Sequence, residues 1–151
     1  MPERHCRLNR LQTGMLVSPI APEELEADYS PFQSQLWAAL KSRYGWQPLA
    51  FRITPEARDG FLCSQTLLVL VRRVAPCFHM AYIPFGPASL HGEYRSAGLA
   101  ELARQIAAQI PVTLGFLRMD LPWDSAVPDA AQNSMIRYLP YTIQPKATVQ
   151  I

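Results

Sequence analysis

The stretch Phe61–Arg73, FLCSQTLLVLVRR, decides the fold of this chain of 151 residues. Five consecutive aliphatic residues at its centre, Leu67–Val71, indicate a strand that is well buried. The sequence Ala-Pro-Cys at 75–77 is predicted to turn the chain. Phe78–Ile83 is then predicted to pair antiparallel with the strand at Phe61–Arg73. A buried hairpin therefore lies at the centre of the predicted domain.

Other elements surround this hairpin. Tyr94–Ile110 has the apolar period of a helix, which Pro111 ends. Further strands are predicted at Met15–Val17, Gln47–Ile53, Val112–Met119 and within the final segment 141–151, YTIQPKATVQI. Antiparallel hairpins come first, and a helix crosses over between later strands. This order predicts one three-layer α/β domain with a mixed sheet over residues 15–151, after a lead-in at 1–14.

The segment Ser30–Trp46, SPFQSQLWAALKSRYGW, is predicted to be a capped helix. Ser30 has the side chain of an N-cap, Gln33 has the spacing of a capping box, and Gly45 suits a left-handed stop. An apolar stripe with a period of four is expected to be buried and consists of Phe32, Leu36, Leu40 and Tyr44.

Lys41 lies four residues after Trp37, on the flank of that stripe. Trp37 suits either the core or the wall of a cleft. A lysine in the last turn of a helix is favoured by the helix dipole and most often only solvates a surface. An ammonium at the rim of a cleft, by contrast, suits a phosphate. Spacing alone leaves both interpretations open.

Two strand ends carry the other candidate residues. The corner YIPFGP, Tyr82–Pro87, places Gly86 between two prolines, which suits either close approach of a ligand to the backbone or an ordinary edge loop. In LRMDLPW at 117–123, Asp120 directly follows an apolar strand. That carboxylate could bind a substrate, or it could pair with Arg118 or cap a turn.

The composition excludes several classes of protein. A net charge of +2 without a basic run gives no indication of nucleic-acid binding. Three cysteines without CxxC spacing and three scattered histidines predict no metal site, and glycine-rich nucleotide or acyl-CoA loops are missing. No signal peptide or long apolar run is present, so we expect a cytoplasmic protein. We also expect no cofactor.

Four motifs in order, FQSQLWAALKSRYGW, AYIPFGPAS, LRMDLPW and QPKATVQI, resemble the FemAB family over residues 30–151. These peptidyltransferases build peptidoglycan cross-bridges and typically carry a QS-x-x-W…K…GW helix, a Y-x-P-R-G-P corner, an LR-x-D-P-P strand end and a QP…T strand. The resemblance implies a GNAT-like domain with a mixed, largely antiparallel sheet. It also implies transfer of an aminoacyl group from aminoacyl-tRNA, the co-substrate, to the stem peptide of a peptidoglycan precursor.

The resemblance assigns roles to individual residues. Lys41 matches the lysine expected to contact the diphosphate of lipid II or of UDP-MurNAc-pentapeptide. Asp120 matches the aspartate near the reacting region, which makes it a possible catalytic residue. Trp37, Gly86 and Pro87 complete the expected acceptor site, and the family's second domain supplies the tRNA contacts and most catalytic groups.

The chain departs from the family pattern at three points. Phe85 replaces the corner cation, Leu121 replaces a proline, and the chain ends where the second domain would begin. We therefore expect the acceptor-binding half of a Fem-type enzyme that is inactive alone. Two alternatives are a non-catalytic interaction domain whose C-terminal strand edge recruits a partner chain, and a small-molecule GNAT acyltransferase.

Overall fold

The computed structural model describes residues 14–26, 29–55, 64–88, 95–122, 135–137 and 139. The helices and strands of these residues are, in chain order, β1 (Met15–Ile20), α1 (Gln35–Ser42), β2 (Gln47–Pro55), β3 (Gln65–Ala75), β4 (Phe78–Ile83), α2 (Arg95–Gln109) and β5 (Leu114–Met119). Short 3-10 turns precede α1 at Pro22–Glu24 and Pro31–Gln33. The predicted strand at 141–151 and residues 1–13 of the predicted lead-in lie outside the described residues.

The five strands form one mixed sheet in the order β1-β2-β3-β4-β5. The first four strands pair antiparallel, while β4 and β5 pair parallel, with Ile83 opposite Met119. The chain reaches β5 from β4 through α2, because a parallel neighbour requires a crossover. The α/β class and the mixed, largely antiparallel sheet are confirmed.

The two helices pack on opposite faces of this sheet, as alternation along β3 shows. Leu67, Val69 and Val71 belong to a cluster with Leu102 and Ile106 of α2. Leu68 and Leu70, which point to the other face, belong to a cluster with Ala38 of α1. Both faces of β3 are therefore covered, and residues 67–70 are fully buried. The aliphatic run that predicted this central strand is explained by its two apolar neighbours.

The predicted start of the first helix is wrong. Ser30 caps only the 3-10 turn, where its hydroxyl accepts from the Phe32 N–H at 3.2 Å. The chain then becomes extended at Ser34, whose own hydroxyl accepts from the Trp37 N–H at 3.2 Å and caps α1. Two serines four residues apart compete as caps, and the second begins the helix. Gln33 belongs to no capping box; its side chain is buried elsewhere.

The predicted burial of the apolar stripe is also wrong. Leu36 is 81% exposed and Tyr44 68% exposed, whereas Ala38 is buried. The small Ala38 side chain packs in the cluster formed by Leu68, Leu70 and others on the sheet. Tertiary packing thus selects the face that carries Trp37 and Ala38. Leu36, Leu40 and Tyr44 face solvent, whereas Phe32 is half-buried.

The predicted end of the helix is confirmed. Gly45 has a φ of 78°, in the left-handed region. Its N–H donates to the Ser42 carbonyl at 3.3 Å, and the Trp46 N–H donates to the Lys41 carbonyl at 3.2 Å. This pair of bonds is a Schellman motif, which satisfies the last carbonyls of the helix. It also fixes the backbone that carries Lys41.

Candidate functional site

The parallel strands β4 and β5 end side by side, and the candidate site begins there. Beyond the last paired residues, the Asp120 N–H donates to the Ile83 carbonyl at 3.0 Å. The Gly86 N–H in turn donates to the Asp120 carbonyl at 3.1 Å. The corner after β4 and the aspartate after β5 are therefore bound together through their backbones, although they are far apart in sequence.

The carboxylate of Asp120 is buried and engaged on both oxygens. The Tyr82 hydroxyl donates to Oδ2 at 2.9 Å, and Arg118 Nε donates to Oδ1 at 3.1 Å. The side chains of Asp120 and Arg118 are only 6% and 12% exposed. The pairing of Asp120 with Arg118, left open by the sequence, is thus present. In this arrangement the carboxylate orients a phenol and a guanidinium at the strand ends.

The corner itself is tightly packed. The Gly86–Pro87 peptide bond is cis, and both residues are buried. A Cβ placed on Gly86 would lie 2.8 Å from Leu67 Cδ1, 3.0 Å from Ile83 Cγ2 and 3.1 Å from Gln33 Nε2. Gly86 therefore permits close packing of the corner on β3. Gly86 and Pro87, which were predicted to contact the substrate, are both buried inside the corner.

A buried amide ties this corner to the segment before α1. Gln33 is fully buried, and its Nε2 donates to the Pro84 carbonyl at 2.5 Å and to the Leu68 carbonyl at 3.4 Å. Its Oε1 accepts from the Leu68 N–H at 2.6 Å. One side chain thus links β3, the corner and the turn that leads into α1. The sequence carried no local signal for this role, because all its partners are more than 30 residues away.

An aromatic row connects the corner to Lys41. The rings of Phe85 and Phe32 stack with centroids 5.4 Å apart, and Phe32 meets Trp37 edge to face at 4.8 Å. The Lys41 Nζ lies 4.7 Å from the centre of the Trp37 ring, a cation–π contact. The indole N–H of Trp37 is buried and has no hydrogen-bond partner among the described residues. We call Phe85, Phe32, Trp37 and Lys41 the aromatic row.

A second aromatic–cation contact lies on the same face of the sheet. Arg72 lies 5.6 Å from the centre of the Trp46 ring, which is 6.2 Å from the ring of Tyr82. Tyr82 then reaches Asp120 through its hydroxyl. The sequence reasoning did not single out Arg72, Trp46 or Tyr82 as members of a site, although Trp46 and Tyr82 stand inside the quoted motifs.

A series of contacts between neighbouring side chains and backbone groups connects the positions that were predicted for the site. Trp37 and Lys41 lie at one end of the aromatic row, and Phe85 at its other end belongs to the corner that contains Gly86 and Pro87. The backbone of Gly86 in turn bonds that of Asp120. Trp123, which ends the third motif, lies outside the described residues. No cluster of three or more potential metal ligands occurs among the residues that the structure describes. In the same part of the chain, no helix is long and apolar enough to cross a membrane.

Comparisons with known proteins add no relative. The chain matches no protein-family model, no curated protein and no solved structure at a significant level. The site must therefore be interpreted from its own geometry and from the motifs that compose it.

Proposed function

We propose that this chain is the acceptor-binding domain of a Fem-type aminoacyltransferase with a GNAT-like fold. One observation carries the proposal. Three motifs that resemble the family lie at residues 32–46, 81–89 and 117–123, and the second of them contacts both the first and the third. This convergence of the motifs at one end of the sheet supports a shared role in binding.

The topology supports the same proposal. A mixed five-stranded sheet in which β4 and β5 run parallel, joined by a crossover helix, is compatible with a GNAT-like domain. The candidate cluster lies where these two strands end. Ligands of open α/β sheets commonly bind beyond the carboxyl ends of such strands.

The proposed chemistry requires binding and orientation from this domain. In the complete enzyme, the acceptor amine would form a C–N bond with the aminoacyl carbonyl carbon while the ester C–O bond breaks. The ribose oxygen of the tRNA would leave with the proton that the amine gives up. Holding the amine against the ester can supply much of the rate enhancement. In the family, the aminoacyl-tRNA would be bound by a second domain.

Lys41 would bind the diphosphate of the acceptor. Its ammonium lies at the end of the aromatic row on a backbone fixed by the Schellman motif, and its side chain is partly buried against Trp37. A compact ammonium is a common ligand of phosphate groups. Asp120, with Tyr82 and Arg118, would place the peptide end of the acceptor at the strand ends. The acceptor would be lipid II or UDP-MurNAc-pentapeptide.

A binding titration of the 151-residue chain with UDP-MurNAc-pentapeptide tests the proposal. Lys41→Met keeps an apolar side chain on Trp37 but removes the charge, and we expect affinity to fall about tenfold. Arg43→Met is the matched control, because Arg43 is an exposed cation at the same helix end. Equal losses in both variants, or no saturable binding by the unmodified chain, would contradict the proposal.

A further inference from the structure

Phe85 has a backbone conformation that its residue type disfavours. Its φ is 45°, in the left-handed region, where bulky side chains are genuine outliers. Its neighbours Pro84, Gly86 and Pro87 are buried, and the amide of Gln33 holds the Pro84 carbonyl. The corner therefore imposes this conformation on Phe85. Strained residues persist where the surrounding structure forces them, and they concentrate at functional sites.

The strained backbone places the Phe85 ring against Phe32, the next member of the aromatic row. The ring stacks on Phe32 with an angle of 21° between the planes, and the residue stays partly exposed. In the motif that the corner resembles, a cation stands at this position. This chain therefore has an aromatic ring where the related pattern has a charge, and Lys41 is the cation that ends the row.

We infer that the aromatic row binds the sugar ring of a glycosyl diphosphate, with Phe85 as the stacking surface. The inference rests on the proposed function and deepens it. One face of a hexopyranose ring presents C–H groups, which pack against the negative face of an aromatic ring. The diphosphate attached to that sugar would reach Lys41 at the far end of the row.

The order of the contacts favours a sugar over a nucleobase. In the proposed acceptor the sugar joins the diphosphate to the peptide. In the protein, the aromatic row joins Lys41, proposed to bind the diphosphate, to Phe85, whose neighbour Gly86 is bonded to Asp120. A sugar between these two groups would lie beside the rings that connect them. A nucleobase would lie on the other side of the diphosphate, away from the peptide.

The test compares three probes on the full chain: UDP-MurNAc-pentapeptide, UDP-MurNAc without the peptide, and UDP. Phe85→Gly accepts a φ of 45° without strain, so Tm should be unchanged or higher. Affinity for UDP-MurNAc-pentapeptide should nevertheless fall about tenfold, because the stacking surface is lost. Phe85→Leu removes the ring but keeps a bulky side chain at this backbone, and it should lose affinity similarly. Phe116→Leu, which alters an exposed ring on β5, should bind like the unmodified chain.

The outcomes separate this inference from the proposed function. A loss of affinity in Phe85→Gly for both UDP-MurNAc-pentapeptide and UDP-MurNAc, with UDP affinity unchanged, supports the sugar contact. A loss for UDP-MurNAc-pentapeptide alone would assign the ring to the peptide, and an equal loss for all three probes would assign it to the nucleobase. Either of these results would overturn the inference. Undiminished pentapeptide binding by Phe85→Gly, with loss in Lys41→Met, would overturn the inference alone. Absence of binding by the unmodified chain would overturn both.

Discussion

The phenol of Tyr82 donates a hydrogen bond of 2.9 Å to Oδ2 of Asp120, and it does so across the two parallel strands whose ends form the candidate site. Tyr82 is 3% exposed and Asp120 6% exposed, so the bond lies in a largely dry environment. Arg118 Nε donates to the other carboxylate oxygen at 3.1 Å, so Asp120 orients the side chains of both Tyr82 and Arg118.

Asp120→Asn should destabilise the domain by about 3 kcal/mol, because it removes the charge of an ion pair with Arg118 that is almost completely buried. Tyr82→Phe removes one hydrogen bond to the carboxylate but leaves the ion pair, and it should cost about 1–2 kcal/mol. Urea unfolding followed by circular dichroism measures both values. Equal stabilities of the two variants would show that the charge pair contributes nothing beyond the hydrogen bond.

Gln33→Met should destabilise the chain by about 2–4 kcal/mol. The substitution is close in volume, but it leaves the Leu68 N–H and the Pro84 carbonyl without their buried partner. Gln47→Met, at an exposed position on β2, provides the control and should change stability by less than about 0.5 kcal/mol. If both variants unfold at the same urea concentration, the amide does not hold the corner to β3.

Gly86→Ala and Gly115→Ala should change stability in opposite directions. A methyl group on Gly86 meets three side-chain atoms at 2.8–3.1 Å, so crowding should cost about 1–3 kcal/mol. At Gly115 on β5 the nearest atom is 3.7 Å away, an ordinary contact, and alanine should stabilise the strand by about 0.5 kcal/mol. Thermal unfolding of the two variants provides the comparison, and a stabilised Gly86→Ala would refute the close-packed corner.

Local sequence patterns predicted the sheet well. The strand Phe78–Ile83 has the predicted bounds, while the central strand, Gln65–Ala75, begins inside the predicted Phe61–Arg73 and extends two residues beyond it. The crossover helix differs from its prediction by one residue at each end. In these segments the periodicity, the prolines and the aliphatic runs all indicate the same element, and tertiary packing does not override them.

The buried face of the first helix and the contacts inside the site could not be predicted from local sequence patterns. The face of α1 is selected by the fit of Ala38 on the sheet, so the more apolar stripe through Leu36 faces solvent. Lys41 and Asp120 were named from motif position, but the contacts of Gln33 and the stacking of Phe32 on Phe85 join residues about 50 positions apart. Such contacts exist only once the sheet has formed.

Acid should weaken the attachment of α2 to β1 through Glu101. The Glu101 carboxylate accepts hydrogen bonds from Arg104 and from Gln105 Nε2, and the Gln105 amide also bonds the backbone of Met15 and Val17 on β1. The bond from Arg104, followed by the bond from Gln105, lowers the pKa of Glu101 from its ordinary value, against a smaller opposing effect of burial. The folded state therefore binds the Glu101 proton less readily than the unfolded chain does.

The stability that this carboxylate contributes is accordingly present above the unfolded pKa and is lost as the pH falls through the folded value. Glu101→Gln should lower the urea midpoint at about pH 7 and have a smaller effect at about pH 3. Arg104→Gln removes the first cause of the shift and should show the same trend, whereas an acid-independent difference between Glu101→Gln and the unmodified chain would contradict the assignment. Because Arg104 is exposed, about 1 M salt should reduce the effect of Arg104→Gln while the Gln105 bonds to β1 persist.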